Sequence, residues 1–365
     1  MDMRECEVIA PNFKKRLSGV TSTIIQLVPV QSRALGIAVL GPGLPASLPR
    51  LRLSQLPGLW RAPRGRMVRV WHARRNVEML PGIVMRDLLR MPLKLVFTSA
   101  SQRRHTAYTK WLIGRMDAVV ATSARTGSYL DGAHEVILHG IDTQRFHPAP
   151  DKAAAKAALG LPAEQKIVGC FGRVRRQKGT DLFVDAMIAL LPARPGWTAI
   201  VAGRATGPHE SFEAGLRRRV AEAGLAERIL FVGEHTNIPP WYRALDLFVA
   251  PQRWEGFGLT PLEAMASGVP VVAADVGAFS EIIVTGSGET GIIVPAGQAD
   301  AMARAAGALM DEDGRRIAAG ANARAHVAAR FSIENEARAL EAVYRRLMGG
   351  SPASGRTPSS SATRL

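Results

Sequence analysis

Short apolar runs recur along the chain, and most of them close in a polar or glycine-bearing loop that opens into a helical pattern. In the first half they fall at residues 6–13, 34–40, 68–72, 93–98 and 118–123. In the second half they return at 167–174, 197–203, 229–234, 245–250, 269–273 and 291–295. Continuous runs of this length, without polar alternation, mark strands covered on both faces, as in parallel sheets. Helical patterns are expected from Thr21, within 76–90, from Ser123 through Leu130, just after Asp151, and over 182–191, 212–223 and 238–244. Others start at Gly277 and cover 300–310 and 333–348. Strand and helix in alternation imply an α/β fold of parallel strands with crossover helices. Residues 41–63 read as a Pro- and Gly-rich loop, and 99–117 as a helix presenting Arg103, Arg104 and Lys110. No apolar run reaches the roughly 18 residues of a membrane span, so no transmembrane helix is expected. The acidic start, running straight into a strand, is unlike a signal peptide.

A chain of 365 residues is long enough for two domains. Ala149-Pro150-Asp151 reads as the link, giving a first domain of 1–148 and a second of 149–332. The Gly-, Ser-, Pro- and Arg-rich end, 349–365, is expected to be disordered. Cys6 and Cys170 lie in apolar runs and read as buried free thiols of a reducing compartment, with no disulfide or metal site. The formal charge of +16 is placed unevenly. Residues 1–150 hold 22 Lys+Arg against 9 Asp+Glu, whereas 151–365 hold 25 against 22. Such asymmetry points the first half toward something anionic, either nucleic acid or an anionic membrane surface. The basic residues are not interleaved with an aromatic base-stacking platform, which argues against nucleic acid.

The candidate chemistry centres on Arg253 to Val272. An apolar run ending at Ala250 leads into a loop with Gly256 and Gly258, and then into a helix start at Thr260-Pro261. Thr260 reads as the N-cap and Pro261 as the first helical residue. Strand, glycine loop and helix start in succession build a cradle of backbone amides for an anion. Glu255 and Glu263 flank it. Glu263, three residues after Thr260, reads equally as the partner in a capping box. Glu255 reads as a ligand or as a solvated loop carboxylate. A second cradle follows the run that opens the second domain, where Arg173, Arg175, Arg176 and Lys178 precede Gly179 and a helix capped near Thr180 or Asp181. Fixed cations beside backbone amides suit a pyrophosphate. A third strand, loop and helix start stands at Ser18-Gly19, after the basic Lys14-Lys15-Arg16. Asp311-Glu312-Asp313-Gly314 matches a D-x-D metal motif but reads as a solvated turn between helices.

The frame E-G-F-G-L-T-P-L-E-A-M-A-S-G-V-P-V-V from Glu255 resembles the E-x7-E signature of family 4 retaining glycosyltransferases, which use nucleotide sugars and have the GT-B fold. Arg173 to Gly179 is similar to the family's G-R-x-x-x-x-K-G, and Val136 to Pro148 to its interdomain stretch, with His139 in place of Asn. The resemblance implies two Rossmann-like domains facing each other across a cleft, with helix 333–348 crossing back to the first. It also implies a donor diphosphate between Gly19, Arg173, Lys178 and the backbone of Phe257, Gly258 and Leu259. Glu263 would hold the ribose and Glu255 the donor sugar. Neither metal nor cofactor is implied. On the acceptor side, the family's usual His falls at Ser99-Ala100; Ser99, His105, Arg103 and Lys15 are the candidates.

Within the family, the basic first domain looks closest to bacterial lipopolysaccharide core mannosyltransferases. That likeness implies transfer of mannose from GDP-mannose to a lipid A–core acceptor, by a cytoplasmic protein held peripherally at the inner face of the cytoplasmic membrane. The alternatives are a UDP-sugar-dependent relative acting on another lipid-linked glycan, a soluble glycogen- or sucrose-type transferase, and a non-catalytic basic scaffold with a degenerate transferase fold.

Overall fold

The computed structural model describes residues 2–15 and 19–349. Arg16 and Ser18 of the first basic loop and the tail from 350 lie outside the described residues.

The first sheet comprises β1 (Val8–Pro11), β2 (Ile37–Leu40), β3 (Arg50–Leu51), β4 (Arg69–Ala73), β5 (Leu93–Ser99), β6 (Ala118–Ala121) and β7 (Glu135–Val136). Its order is β3-β2-β1-β4-β5-β6-β7, with every pairing parallel. Helices α1 (Gly19–Gln31), α2 (Asn76–Ile83), α3 (Ala107–Ile113) and α4 (Ala124–Gly127) accompany it.

After α5 (Lys152–Ala157) the second sheet is built from β8 (Lys166–Phe171), β9 (Trp197–Ala202), β10 (Ile229–Gly233), β11 (Leu247–Ala250), β12 (Val271–Ala274) and β13 (Gly291–Val294). Its order is β10-β9-β8-β11-β12-β13, again parallel throughout. The helices here are α6 (Thr180–Leu190), α7 (Glu210–Glu222), α8 (Pro239–Arg243), α9 (Thr260–Ala266), α10 (Phe279–Ile282), α11 (Ala299–Asp311) and α12 (Asp313–Arg330). A last helix, α13 (Ile333–Leu347), follows. Both sheets are doubly wound, and each reverses its strand order beside its first strand. Ligands of such sheets bind outside the strand C-termini at that reversal. The loops leaving β1, β4, β8 and β11 are therefore the ones that matter.

Two passages of chain run side by side between the halves. Ile141 and Phe146 are buried in the core of the second sheet, and Ile141 forms an isolated parallel bridge with Ser332. Ser332 then caps α13, its hydroxyl accepting from the Asn335 amide. Ile333, Ala337, Leu340, Val343 and Tyr344 of α13 are buried with Val8, Ile24 and Val39 of the first domain. His72 joins the helix to the sheet, 2.6 Å from the Tyr344 hydroxyl and 2.6 Å from that of Thr98. Burial holds this imidazole well below its usual pKa, so one ring nitrogen donates and the other accepts. Both cysteines are buried and free. Loss of hydration pushes Cys6 up to about 11 and Cys170 up to about 12, so both are neutral thiols.

Several elements differ from the sequence expectation. The helix expected from Ser123 to Leu130 is the single turn of α4. The helix expected over 99–117 is confined to α3, which leaves Arg103 and Arg104 in the preceding loop. The Thr106 hydroxyl caps α3, which sets where it starts. Residues 41–63 contain β3 and a 3-10 helix, Leu53–Trp60. The long helix α12 was not anticipated; its alternation of Ala and Arg gives little apolar contrast, yet Ala319, Ala323 and Val327 are buried.

Candidate active site

After β8 the chain turns at Gly172 and carries Arg173 outward to an exposed position. Arg176–Lys178 form one 3-10 turn, ended by Gly179 at φ +72°. A Cβ on Gly179 would run into the Pro251 carbonyl oxygen, so the loops after β8 and β11 meet there. Gly179, not Thr180 or Asp181, occupies the cap position of α6, and no side chain caps it. The Asp181 carboxylate is used elsewhere. It takes both guanidinium branches of Arg253, at 2.7 and 2.8 Å. Arg253 also donates to the Arg176 carbonyl at 2.7 Å, and its amide to the Gln177 carbonyl at 3.0 Å. These bonds lock the two loops together. The product is an ion pair between the Lys178 ammonium and the Glu255 carboxylate, both largely shielded from solvent.

Beyond Glu255 the loop is shaped by close approaches. An added Cβ on Gly256 would lie 2.6 Å from the Ala100 carbonyl oxygen of the first domain. Gly258 has φ +88° and faces the Phe279 ring. His139 packs edge-on against Phe257 at 4.9 Å. Its Nδ1 lies 2.9 Å from Glu336 of α13, whose other oxygen accepts from the Gly140 amide at 2.8 Å. His139 thus links the crossing passage, the last helix and the glycine loop. Across the cleft, Arg125 pairs with Asp275 at 2.8 Å, and the Glu281 carboxylate accepts from the Ala124 and Arg125 amides at 2.7 and 3.0 Å.

The capping box at Thr260 is not formed. Leu259 is the N-cap residue and already has helical dihedrals. The Glu263 amide donates to the Leu259 carbonyl at 3.0 Å, which leaves no role for the Thr260 hydroxyl as its cap. Glu263 instead accepts a 2.6 Å bond from the buried Tyr242 hydroxyl on α8. Desolvation raises the Glu263 pKa, opposed by the Tyr242 bond and by the charge of Arg145. A carboxylate raised on folding favours the fold below its unfolded pKa, and that contribution is lost as pH rises through the folded value. Tyr242→Phe removes the opposing bond. It is expected to cost about 1.5–3 kcal/mol at neutral and alkaline pH, while the carboxyl is ionised, and less at acid pH, once the carboxyl takes up its proton. Denaturant midpoints of both proteins at neutral and at acid pH check this.

On the first-domain side, a cavity of about 540 Å³ opens at the loops after β1, β4 and β5. It brings Ser99, Arg103 and His105 together and adds Lys14, Arg74 and Arg104. Lys15 is exposed outside this lining and is replaced there by Lys14. Loss of hydration and the charge of Arg103 lower the His105 pKa. Gly19 opens α1 at the end of the same β1 loop, with open space at its Cα. Arg173 borders a separate cavity of about 250 Å³ with Arg204 and Thr206, whose lining includes neither Lys178 nor Glu255. Asp311 binds Arg194, and Asp313 binds Lys166 and Arg316, so the D-x-D carboxylates serve as helix-end ion pairs. Among the described residues no cluster of His, Cys, Asp or Glu suits a metal ion.

Arg253, Asp181, Tyr242, Lys14 and Arg74 were missed as site residues. Arg253 offered a signal, as a cation at the mouth of the glycine loop with an acid on the neighbouring helix. Tyr242 offered none, because it lies in an apolar run.

HepE of Anabaena, solved with UDP, superposes with a TM-score of 0.80 at 20% identity, covering 93% of this chain and 100% of that one. Two Rossmann-like domains with their strand reversals turned to a shared cleft define the GT-B class of glycosyltransferases. A family model for group 1 glycosyl transferases matches residues 165–312. The lipopolysaccharide core biosynthesis mannosyltransferase LpsB of Rhizobium meliloti is 71% identical, over 95% of this chain and 99% of its own. LpcC of Rhizobium leguminosarum, of the same description, is 59% identical over 95% and 98%. The chain belongs to the group 1 glycosyltransferases.

Proposed function

We propose that the protein is a retaining mannosyltransferase that moves mannose from GDP-mannose to an acidic, lipid-linked lipopolysaccharide core. The observation that carries this reading is the 71% identity, over nearly the whole of both chains, to a protein described as a lipopolysaccharide core biosynthesis mannosyltransferase. The geometry supports it. Lys178 and Glu255 are held as a pair at the β8 and β11 loops. Donor binding would part them, turning Lys178 to the diphosphate and Glu255 to a sugar hydroxyl. Arg173 adds a second cation, and the amides of Phe257, Gly258, Leu259 and Gly19 face the phosphates. Glu263 keeps one oxygen on Tyr242, which leaves the other for the ribose.

In the reaction the anomeric C1–O bond breaks, and its electron pair passes to the diphosphate. The acceptor oxygen bonds C1 on the same face, and its proton goes to a departing phosphate oxygen. The protein acts by placing the partners and by offering fixed positive charge where negative charge grows. The cationic cavity around Arg103 and Arg104 is the place for the acidic acceptor. No metal enters this scheme. The protein works at the inner face of the cytoplasmic membrane, a placement supported by its basic first domain. Among the described residues no helix is long and apolar enough to cross a membrane.

Purified protein mixed with GDP-mannose and a deacylated core acceptor is expected to add one hexose, read by mass. UDP-glucose, UDP-galactose and UDP-N-acetylglucosamine should give none. Transfer from a UDP-sugar alone would overturn the donor, and transfer from no donor would favour a scaffold.

A further inference from the structure

Among the described residues, most of the exposed large apolar side chains lie between residues 53 and 111. Val77, Leu80, Val84 and Leu88 are spaced as one face of the helix formed by α2 and its π-helical extension Val84–Leu88. All four are exposed, Leu88 at 73%. The face continues at both ends. The Trp60 indole donates to the Leu89 carbonyl at 2.8 Å, which sets a half-exposed Trp beside Leu88 and Leu89. At the other end Asn76 bonds Thr109 at 2.7 Å, which brings α3 alongside with Tyr108 and Trp111 stacked and exposed. Arg90, just after the Leu88-Leu89 corner, has φ +54°. A bulky residue takes that conformation only where its surroundings impose it.

A soluble monomer rarely leaves such an apolar surface bare. The surrounding charge indicates what covers it. Residues 50–116 hold fifteen Lys+Arg and two Asp+Glu. Of the two acids, Glu78 is buried against Arg75, and Asp87 is paired with Arg86. Arg61, Arg64, Arg90, Arg104 and Arg115 are exposed. Apolar side chains with aromatic residues and a cationic surround fit the interface of an anionic bilayer.

We propose that this face, from Trp60 through the α2 helix to Trp111, seats the protein on an anionic lipid surface. The inference deepens the membrane placement proposed above by naming the face that makes contact, and its purpose rests on the transferase reading. Val77 belongs both to the face and to the lining of the cationic cavity. Seated this way, the protein opens its acceptor cavity at the lipid surface, where a lipid-linked sugar is presented.

The test uses the full chain and vesicles of phosphatidylcholine, alone or mixed with phosphatidylglycerol. Wild type is expected to co-sediment with the mixed vesicles and to lose binding as salt rises. Brominated acyl chains should quench its tryptophan fluorescence, less so in Trp60→Phe/Trp111→Phe. Leu80→Asp/Val84→Asp/Leu88→Asp is expected to lower partitioning by at least about tenfold, and Arg61→Glu/Arg90→Glu by a smaller factor. Wild-type binding to neither vesicle, or unchanged binding of the triple variant, would overturn the proposal. So would a concentration-dependent dimer that the triple variant abolishes, because the face would then be covered by a second copy. Transfer to a soluble, deacylated acceptor is measured in the same samples. Its retention in the variants shows that they fold, and its absence in wild type counts against the transferase reading without touching vesicle binding.

Discussion

Lys178→Ala is expected to lower kcat/KM for sugar transfer by roughly 10²–10³-fold, with the loss mostly in kcat. A donor fixed at the site of developing charge contributes about that much when it is removed. Lys178 is fixed because its 3-10 turn is held from both sides, by Gly179 against Pro251 and by Arg253 across Asp181 and Arg176. The substitution also leaves Glu255 without its partner. Glu255→Gln should therefore impair turnover too, and the double variant should be much less active than wild type but not by the product of the two losses. Residues acting as one unit give such non-additivity. Lys178→Arg is not expected to rescue, since a planar fork does not occupy the place of a compact ammonium. Steady-state kinetics of wild type and the four variants, with their melting temperatures, separate this from misfolding. The ion pair is partly exposed, so its own share of stability is at most about 1 kcal/mol.

Gly179→Ala is expected to be as damaging by a different route. At φ +72° an L-residue is strained by about 1–2 kcal/mol, and here the new methyl also meets the Pro251 carbonyl oxygen. The loops after β8 and β11 must move apart to admit it. A total loss of about 2–4 kcal/mol in stability is expected. A loss of activity on the order of 10²-fold should follow, because displacement of about 1 Å from the productive geometry has that effect. Gly196→Ala is the matched control. It lacks a positive φ and has nothing within 4 Å of an added Cβ, so its effect should stay within about 0.5 kcal/mol. Denaturant unfolding and transfer assays on the three proteins decide the matter.

The alternation of apolar runs and helices was enough to read the two parallel sheets, because strands covered on both faces leave uninterrupted runs. The positions of Lys178 and Glu255 were equally legible, since glycine loops after strands announce themselves. Glu263 was ambiguous. Thr260 three residues before it offered a capping box, and only the path of the chain at Leu259 shows that the box is not used. Its actual partner, Tyr242, comes from another helix, and no local pattern could have paired them. Arg253 and Asp181 are likewise a tertiary match, 72 residues apart. The helix α12 escaped because small and charged residues carry it, and it is buried through alanine. The apolar face of α2 was the least accessible of all. A helical stripe of Val and Leu looks the same whether a core or a bilayer receives it.

The two passages that run together at Ile141 and Ser332 set the covalent plan of the molecule. Its second half leaves and rejoins the first at one spot, so it is an insertion within a discontinuous unit. The tether between the halves is accordingly double. Two passages bridged side by side resist twisting more than a single link would and leave bending as the easier motion. The plan also sets what can be cut away. Residues 142–331 begin and end together and could be excised as a piece, whereas shortening the chain from its C-terminus removes α13 and uncovers Val8, Ile24 and Val39. Trimming that end would thus injure the half of the protein that begins the sequence.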